Sequence, residues 1–164
     1  MANKLLPIKK NIMDDDGNDP IVIFAIINNF GVDRILVDDG SAVEVLIYNA
    51  FKKMNLDESL LRLARPIYGF ANQLIKVKRL INLLITLGMR GNVVTNKAKF
   101  LIVDQPSTYN AIISQPLMKK TIMVTIVYCL TIKFPISIKV GYVKANRPLR
   151  TNATSSPFRW VERP

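Results

Sequence analysis

Residues Ile35-Leu36-Val37-Asp38-Asp39-Gly40-Ser41 form an apolar run that ends in a carboxylate and passes at once into a glycine turn. Such a stretch suits a reactive acid. A buried strand fixes the carboxylate, Gly40 allows a positive φ or a close backbone approach, and Ser41 can bond local backbone groups. The chemistry open to it is general acid–base work by two carboxylates that share one proton, one taking a proton from water while the other donates. The chain holds a single apolar-apolar-Asp-X-Gly element, so the second carboxylate has to come from elsewhere. The same four residues, Asp-Asp-Gly-Ser, also describe an ordinary solvated turn.

Composition bounds what the rest of the chain can do. With 164 residues and 49% hydrophobic content, one domain with an ample core is expected. No apolar run is long enough to cross a bilayer, Thr121 to Ile132 being too short and too rich in threonine, so no membrane partner is expected. The first ten residues lack the apolar stretch of a secretory signal, and the lone Cys129 has no internal disulfide partner, which points to a reducing, intracellular compartment, cytoplasmic or nuclear. Absence of histidine and a single cysteine argue against a zinc site, and no cofactor or metal is expected. Net charge is +11, and between Ser59 and Val161 the only acid is Asp104. That balance favours polyanions through charge alone, so non-specific nucleic acid is a candidate partner and a solvated basic face the alternative. Basic and aromatic residues are not interleaved into a stacking platform.

The elements that must position Asp38 follow from the pattern. Residues 1–20 read as a polar, flexible entry segment. Ile21 to Ile27 is a β-prone run, Asn28 to Gly31 a turn, and Arg34 to Val37 the returning strand that carries Asp38 at its end. Val43, Val45 and Ile47 alternate as a short strand, and Tyr48 to Asn55 takes helical spacing with Tyr48, Phe51 and Met54 as apolar contacts. Ile67 to Phe70 and Leu74 to Leu87 read as strands around Asn72-Gln73, and Phe100 to Val103 as a buried strand. Ser114 has the type and place of an N-cap, with Pro116 inside the first turn of a helix running to Lys120. Ile122 to Ile132 and Ile136 to Val143 read as the final strands, and residues 145–164 as a basic, frayed tail.

From Ile21 to Tyr142 the order and spacing of these landmarks resemble the retropepsin-like protease region of gypsy-class retrotransposon polyproteins in plants. The residues that carry the resemblance are Ile21-Val22-Ile23, Arg34 to Ser41, Leu46 to Met54, Tyr68-Gly69-Phe70, Leu83 to Gly88, Phe100 to Val103, Tyr109 to Ile113 and Lys133-Phe134-Pro135. The resemblance implies an all-β, acid-protease closed barrel over residues 21–144, one lobe with one or two short helices. It implies an aspartic endopeptidase that cleaves a polyprotein as a homodimer, with Asp38 as catalytic carboxylate and Asp39, Gly40 and Ser41 completing its loop. Tyr68, Gly69, Phe70, Ala71, Asn72 and Gln73 would form a flap over an extended peptide, and Ile112, Ile113 and Ser114 would support the loop.

Three departures from the family pattern argue for weak or lost turnover. The residue after the catalytic aspartate is normally Thr or Ser, whose hydroxyl bonds across the dimer axis, and here it is Asp39, which cannot donate when ionised. Arg79 stands where the flap usually carries glycine, and Ser114 stands at the glycine of an apolar-apolar-Gly segment. The competing expectation is a non-catalytic barrel that binds a peptide, a partner or nucleic acid.

Overall fold

The computed structural model describes residues 19–64, 67–68, 74–75, 77–146 and 158–160. Strands β1 (Val22–Ile27) and β2 (Phe30–Val37) pair antiparallel through the two-residue turn Asn28-Asn29, both at positive φ. That is the hairpin turn whose twist matches the strands, and asparagine tolerates it better than most residues. Strand β2 therefore starts four residues before Arg34, the expected start. β3 (Glu44–Ile47) leads directly into helix α1 (Tyr48–Lys53), which buries Ala50 and Phe51. Met54, just past its end, is buried too, and Tyr48 packs against the core. The alternation expected for β3 has the wrong phase. Glu44 and Leu46 are buried while Val43 and Val45 are half-exposed.

Short strands β4 (Ile67–Tyr68) and β5 (Leu74–Ile75) pair with each other, Tyr68 opposite Leu74. Gly69, Phe70, Ala71, Asn72 and Gln73, the rest of the expected flap, lie outside the described residues. Long strands β6 (Val77–Met89) and β7 (Asn92–Val103) form a hairpin turned by Arg90-Gly91, again both at positive φ. The sequence pattern marks β7 as strand only from Phe100, eight residues after its start. The outer positions before Phe100, such as Thr95, Lys97 and Lys99, are polar and hide the apolar signal. Arg79 lies inside β6, exposed, beside a register shift and without positive φ, so its backbone there does not require the glycine that the resemblance implies at this position.

β8 (Ala111–Ile113) precedes helix α2 (Gln115–Thr121). Ile122 caps α2 in the left-handed conformation, and β9 (Val124–Ile126), a 3-10 turn and β10 (Thr131–Ile136) follow, so the expected strand from Ile122 to Ile132 is two strands with a break at Val127–Cys129. β11 (Lys139–Lys144) pairs with β10. Within the expected frayed tail, β12 (Phe158–Trp160) pairs with β2, so these three residues are strand rather than frayed chain, and the flanking ones lie outside the described residues, as does the entry segment up to residue 18.

The sheet order is β1-β6-β7-β3-β8-β2-β12, and β1 also pairs with β2. Six strands thus close into a barrel with β12 added outside the ring, and β9, β10 and β11 form a separate three-stranded sheet. The interior holds Ile23, Ile27, Ile35, Leu46, Ile81, Ile85, Phe100 and Ile102 among other buried apolar residues. Closure joins the first and last strands of the ring and so covers most of the edge that an open sheet of this size would expose.

Candidate active site

A bulge in β2 aims the acid. Val32 pairs with Ala25 and Ile35 with Ile23, so Asp33 and Arg34 together oppose Phe24, and Arg34 takes φ +56°. The extra residue shifts the strand's parity by one. Phe30 and Val32 face inward before the bulge, Ile35 and Val37 after it. Asn110 holds the bulge in place. Its backbone N–H donates to Arg34 O at 2.9 Å, and its Nδ2 donates to Asp33 O at 2.8 Å. Beyond the bulge, Ile35, Leu36 and Val37 run parallel to Ala111, Ile112 and Ile113.

Asp38 follows Val37 directly, and its N–H donates to Ile113 O at 2.9 Å, so its backbone stands beside the end of β8. The side chain is half-buried, and its Oδ1 accepts from Gly40 N–H at 2.9 Å. Gly40 is not at positive φ. Its role is close approach, since a Cβ there would lie 3.3 Å from Asp38 Oδ1. Ser41 Oγ donates to Val43 O at 3.2 Å, closing the loop on itself.

Helix α2 ties the loop from the other side. Gln115 N–H donates to Ser41 O at 3.2 Å, and Gln115 Nε2 donates to Asp39 O at 2.7 Å. Asp39 itself is exposed. Ser114 occupies the N-cap position but makes no side-chain cap bond, and its buried Oγ has no hydrogen-bond partner among the described residues. The expected cap comes instead from β3. Glu44, 3% exposed, accepts from Leu117 N–H at 2.7 Å through Oε1. Ser114 also has φ −141°, which does not require glycine.

Beside the loop an open, largely apolar groove is lined by Asp39, Gln115, Met118, Lys119, Ile122, Met123 and Val124. Ile122 is 69% exposed and Val124 54%.

This arrangement matches known proteins in fold. The retroviral protease-like domain of Ddi1 from Leishmania major aligns over 81% of this chain and 98% of its own, with a TM-score of 0.60 at 12% sequence identity. The fold is retropepsin-like. Two further solved structures align with lower scores. EIAV protease complexed with the inhibitor HBY-793 has a TM-score of 0.45 at 14% identity, over 66% of this chain and 93% of that one. A retropepsin-like aspartic protease from Rickettsia conorii has 0.44 at 15%, over 74% and 79%. No protein-family model and no curated protein matches the sequence.

Of the residues singled out in the sequence, the structure brings Asp38, Asp39, Gly40, Ser41, Ile112, Ile113 and Ser114 into one cluster. Tyr68 is placed only as a strand residue of β4. Asn110, Gln115 and Glu44 had no assigned role, although Asn110 lies within a landmark segment and Gln115 follows Ser114. An acid within the apolar run Ala42 to Ile47 was the available signal for Glu44.

Proposed function

We propose that the chain is one half of a retropepsin-like aspartic endopeptidase of retrotransposon origin, with a second copy supplying the other Asp38 across a two-fold axis. The observation that carries this reading is the placement of Asp38. It ends a barrel strand, hydrogen-bonds to Ile113, is steadied by Gly40 and stays half-open to solvent. Among the described residues there is no second loop of this kind, and an isologous dimer is the usual way for one element to become two. The exposed apolar groove next to Asp39 supports the same reading, because a second copy would cover it.

In the dimer, two facing carboxylates hold one proton because both cannot ionise at close range. The ionised one takes a proton from a water that attacks the peptide carbonyl, and the other gives its proton to the carbonyl oxygen. The resulting diol collapses when a proton passes to the leaving nitrogen and the C–N bond breaks. The substrate is an extended polyprotein segment held by strand addition, with alternate side chains in pockets and the segment between β4 and β5 reaching over it. No cofactor takes part, and the site of action is intracellular, where the exposed Cys129 stays reduced.

Asp39 weakens this machinery and supports low turnover. The second reading, a non-catalytic barrel that binds peptide, rests on that residue and on the unsatisfied Ser114 hydroxyl. Sedimentation and a peptide library in mildly acid buffer separate the two. Concentration-dependent cleavage that Asp38→Asn abolishes supports the protease. Dimerisation with no cleavage by the wild type or by Asp39→Thr supports the binding module, and a monomer in both overturns the dimer.

A further inference from the structure

The basic residues of this chain are not spread evenly, and one group of them stands along a stretch of β7 whose outer edge has no strand partner among the described residues. β3 covers β7 only from Phe100 to Val103. Before Phe100, no described strand pairs with that edge of β7. Lys97 and Lys99 project from this stretch and are exposed. Their cross-strand partners on β6 are Leu84 and Asn82. Lys120, at the end of α2, reaches the same edge and donates to Lys97 O at 2.9 Å, which fixes its ammonium against the backbone of the stretch from which Lys97 and Lys99 project. Lysines two apart in a strand stand about 7 Å from each other on one face.

Nothing acidic balances them locally in sequence. Between Ser59 and Val161 there are sixteen Lys and Arg against Asp104 alone, and Asp104 follows the far end of β7. Lysines on an open edge also discourage strand pairing, but a bare edge needs no third ammonium brought in from a helix. We propose that Lys97, Lys99 and Lys120 form a docking face for the phosphate backbone of duplex nucleic acid, a binding activity separate from the Asp38 site.

The chemistry of the face sets the mode of binding. Outer positions of β6 and β7 here are Asn82, Leu84, Thr86, Thr95, Lys97 and Lys99, with no aromatic ring on which a base could stack. Recognition therefore stops at phosphate, carries no sequence preference and favours the denser charge of a duplex over a single strand. Neutralising three phosphates gives a log–log salt slope of about −3 from this face.

The test uses the full chain and a short fluorescein-labelled duplex DNA of mixed sequence, titrated at several salt concentrations. A Lys97→Gln/Lys99→Gln/Lys120→Gln variant is expected to lose about tenfold or more in affinity at low salt and to flatten the slope by about 3. A control that removes the same charge elsewhere, Lys133→Gln/Lys139→Gln/Lys144→Gln on β10 and β11, flattens it by less than about 1. The arginine version of the first triple keeps the binding, and circular dichroism verifies that both glutamine triples fold. Equal losses in the two glutamine triples overturn the proposal in favour of diffuse net charge. Failure of the wild type to bind duplex also overturns it, whether or not anionic phospholipid vesicles bind, and so does tighter binding of the single strand. Peptide cleavage and dimerisation are read on the same variants, and their presence or absence leaves the duplex result unaffected.

Discussion

At the scale of single residues, two side chains near the acid are chemically misplaced, and each makes a prediction whose sign is informative. Asp39 is exposed in one chain and costs little there. In a two-fold dimer it brings two additional carboxylates close to the Asp38 pair. Charges about 7 Å apart repel by roughly 2 kcal/mol at an effective dielectric near 20, and the cross-axis hydroxyl donor is missing as well. Asp39→Thr is therefore expected to tighten dimerisation by at least about tenfold in sedimentation and to raise any peptide cleavage with it. Ser114 gives the opposite of the usual result for a cap. Replacing a helix-capping serine by alanine normally costs about 1 kcal/mol, but here the hydroxyl is buried with no partner. Ser114→Ala is expected to stabilise the fold by about 1 kcal/mol in urea unfolding. Glu44→Ala strands the buried Leu117 N–H and costs about 1–3 kcal/mol, while Glu44→Gln keeps an acceptor at that position and costs less.

At the scale of elements, the strand that bears Asp38 depends on a bulge and on the residue that pins it. Without the Asn110 side chain, the Asp33 carbonyl loses its partner, and the parity shift that turns Ile35 and Val37 inward is held on this side only by the backbone bond to Arg34 O. Asn110→Ala removes the side-chain bond to Asp33 O and is expected to cost about 1–3 kcal/mol in urea unfolding, and to lower cleavage in the Asp39→Thr background beyond what the lost stability explains. The position of Asp38 at a strand end was legible because apolar strand residues running into Gly40 leave few other conformations. The bulge was not legible. Its signature is a change of inward parity between Val32 and Ile35, which a run as apolar as Ile35-Leu36-Val37 masks. β7 was half-missed for the converse reason, since polar outer residues dilute the apolar inner ones until Phe100. Glu44 and Ser114 exchange the roles their types suggest, because the cap was judged from neighbours in sequence and Glu44 reaches α2 from 73 residues away. Short-range rules see the first kind of partner and not the second.

At the scale of the whole molecule, the question is what covers the groove beside the loop, and Ile122 answers it through two effects of opposite sign. Ile122 closes α2 in the left-handed conformation, φ 52° and ψ 41°, a place that favours glycine and penalises a β-branched side chain. It is also 69% exposed, so within one chain it gains little from burial to offset that strain. Left-handed backbone costs a non-glycine residue about 1–2 kcal/mol, partly offset by the greater entropy of an unfolded chain with glycine. Ile122→Gly is thus expected to stabilise the monomer by roughly 1 kcal/mol in urea unfolding at low protein concentration. If the groove is the two-fold interface, the same change removes an apolar side chain from each half. Each is worth about 1.5–3 kcal/mol when buried, so dimer dissociation should rise by at least about a hundredfold. Both quantities are measured in the Asp39→Thr background, where the dimer is strongest. A stabilised monomer with a weakened dimer places Ile122 at the contact. An unchanged dimer moves the interface to another surface, and the Asp38 pair would then have to meet without the groove.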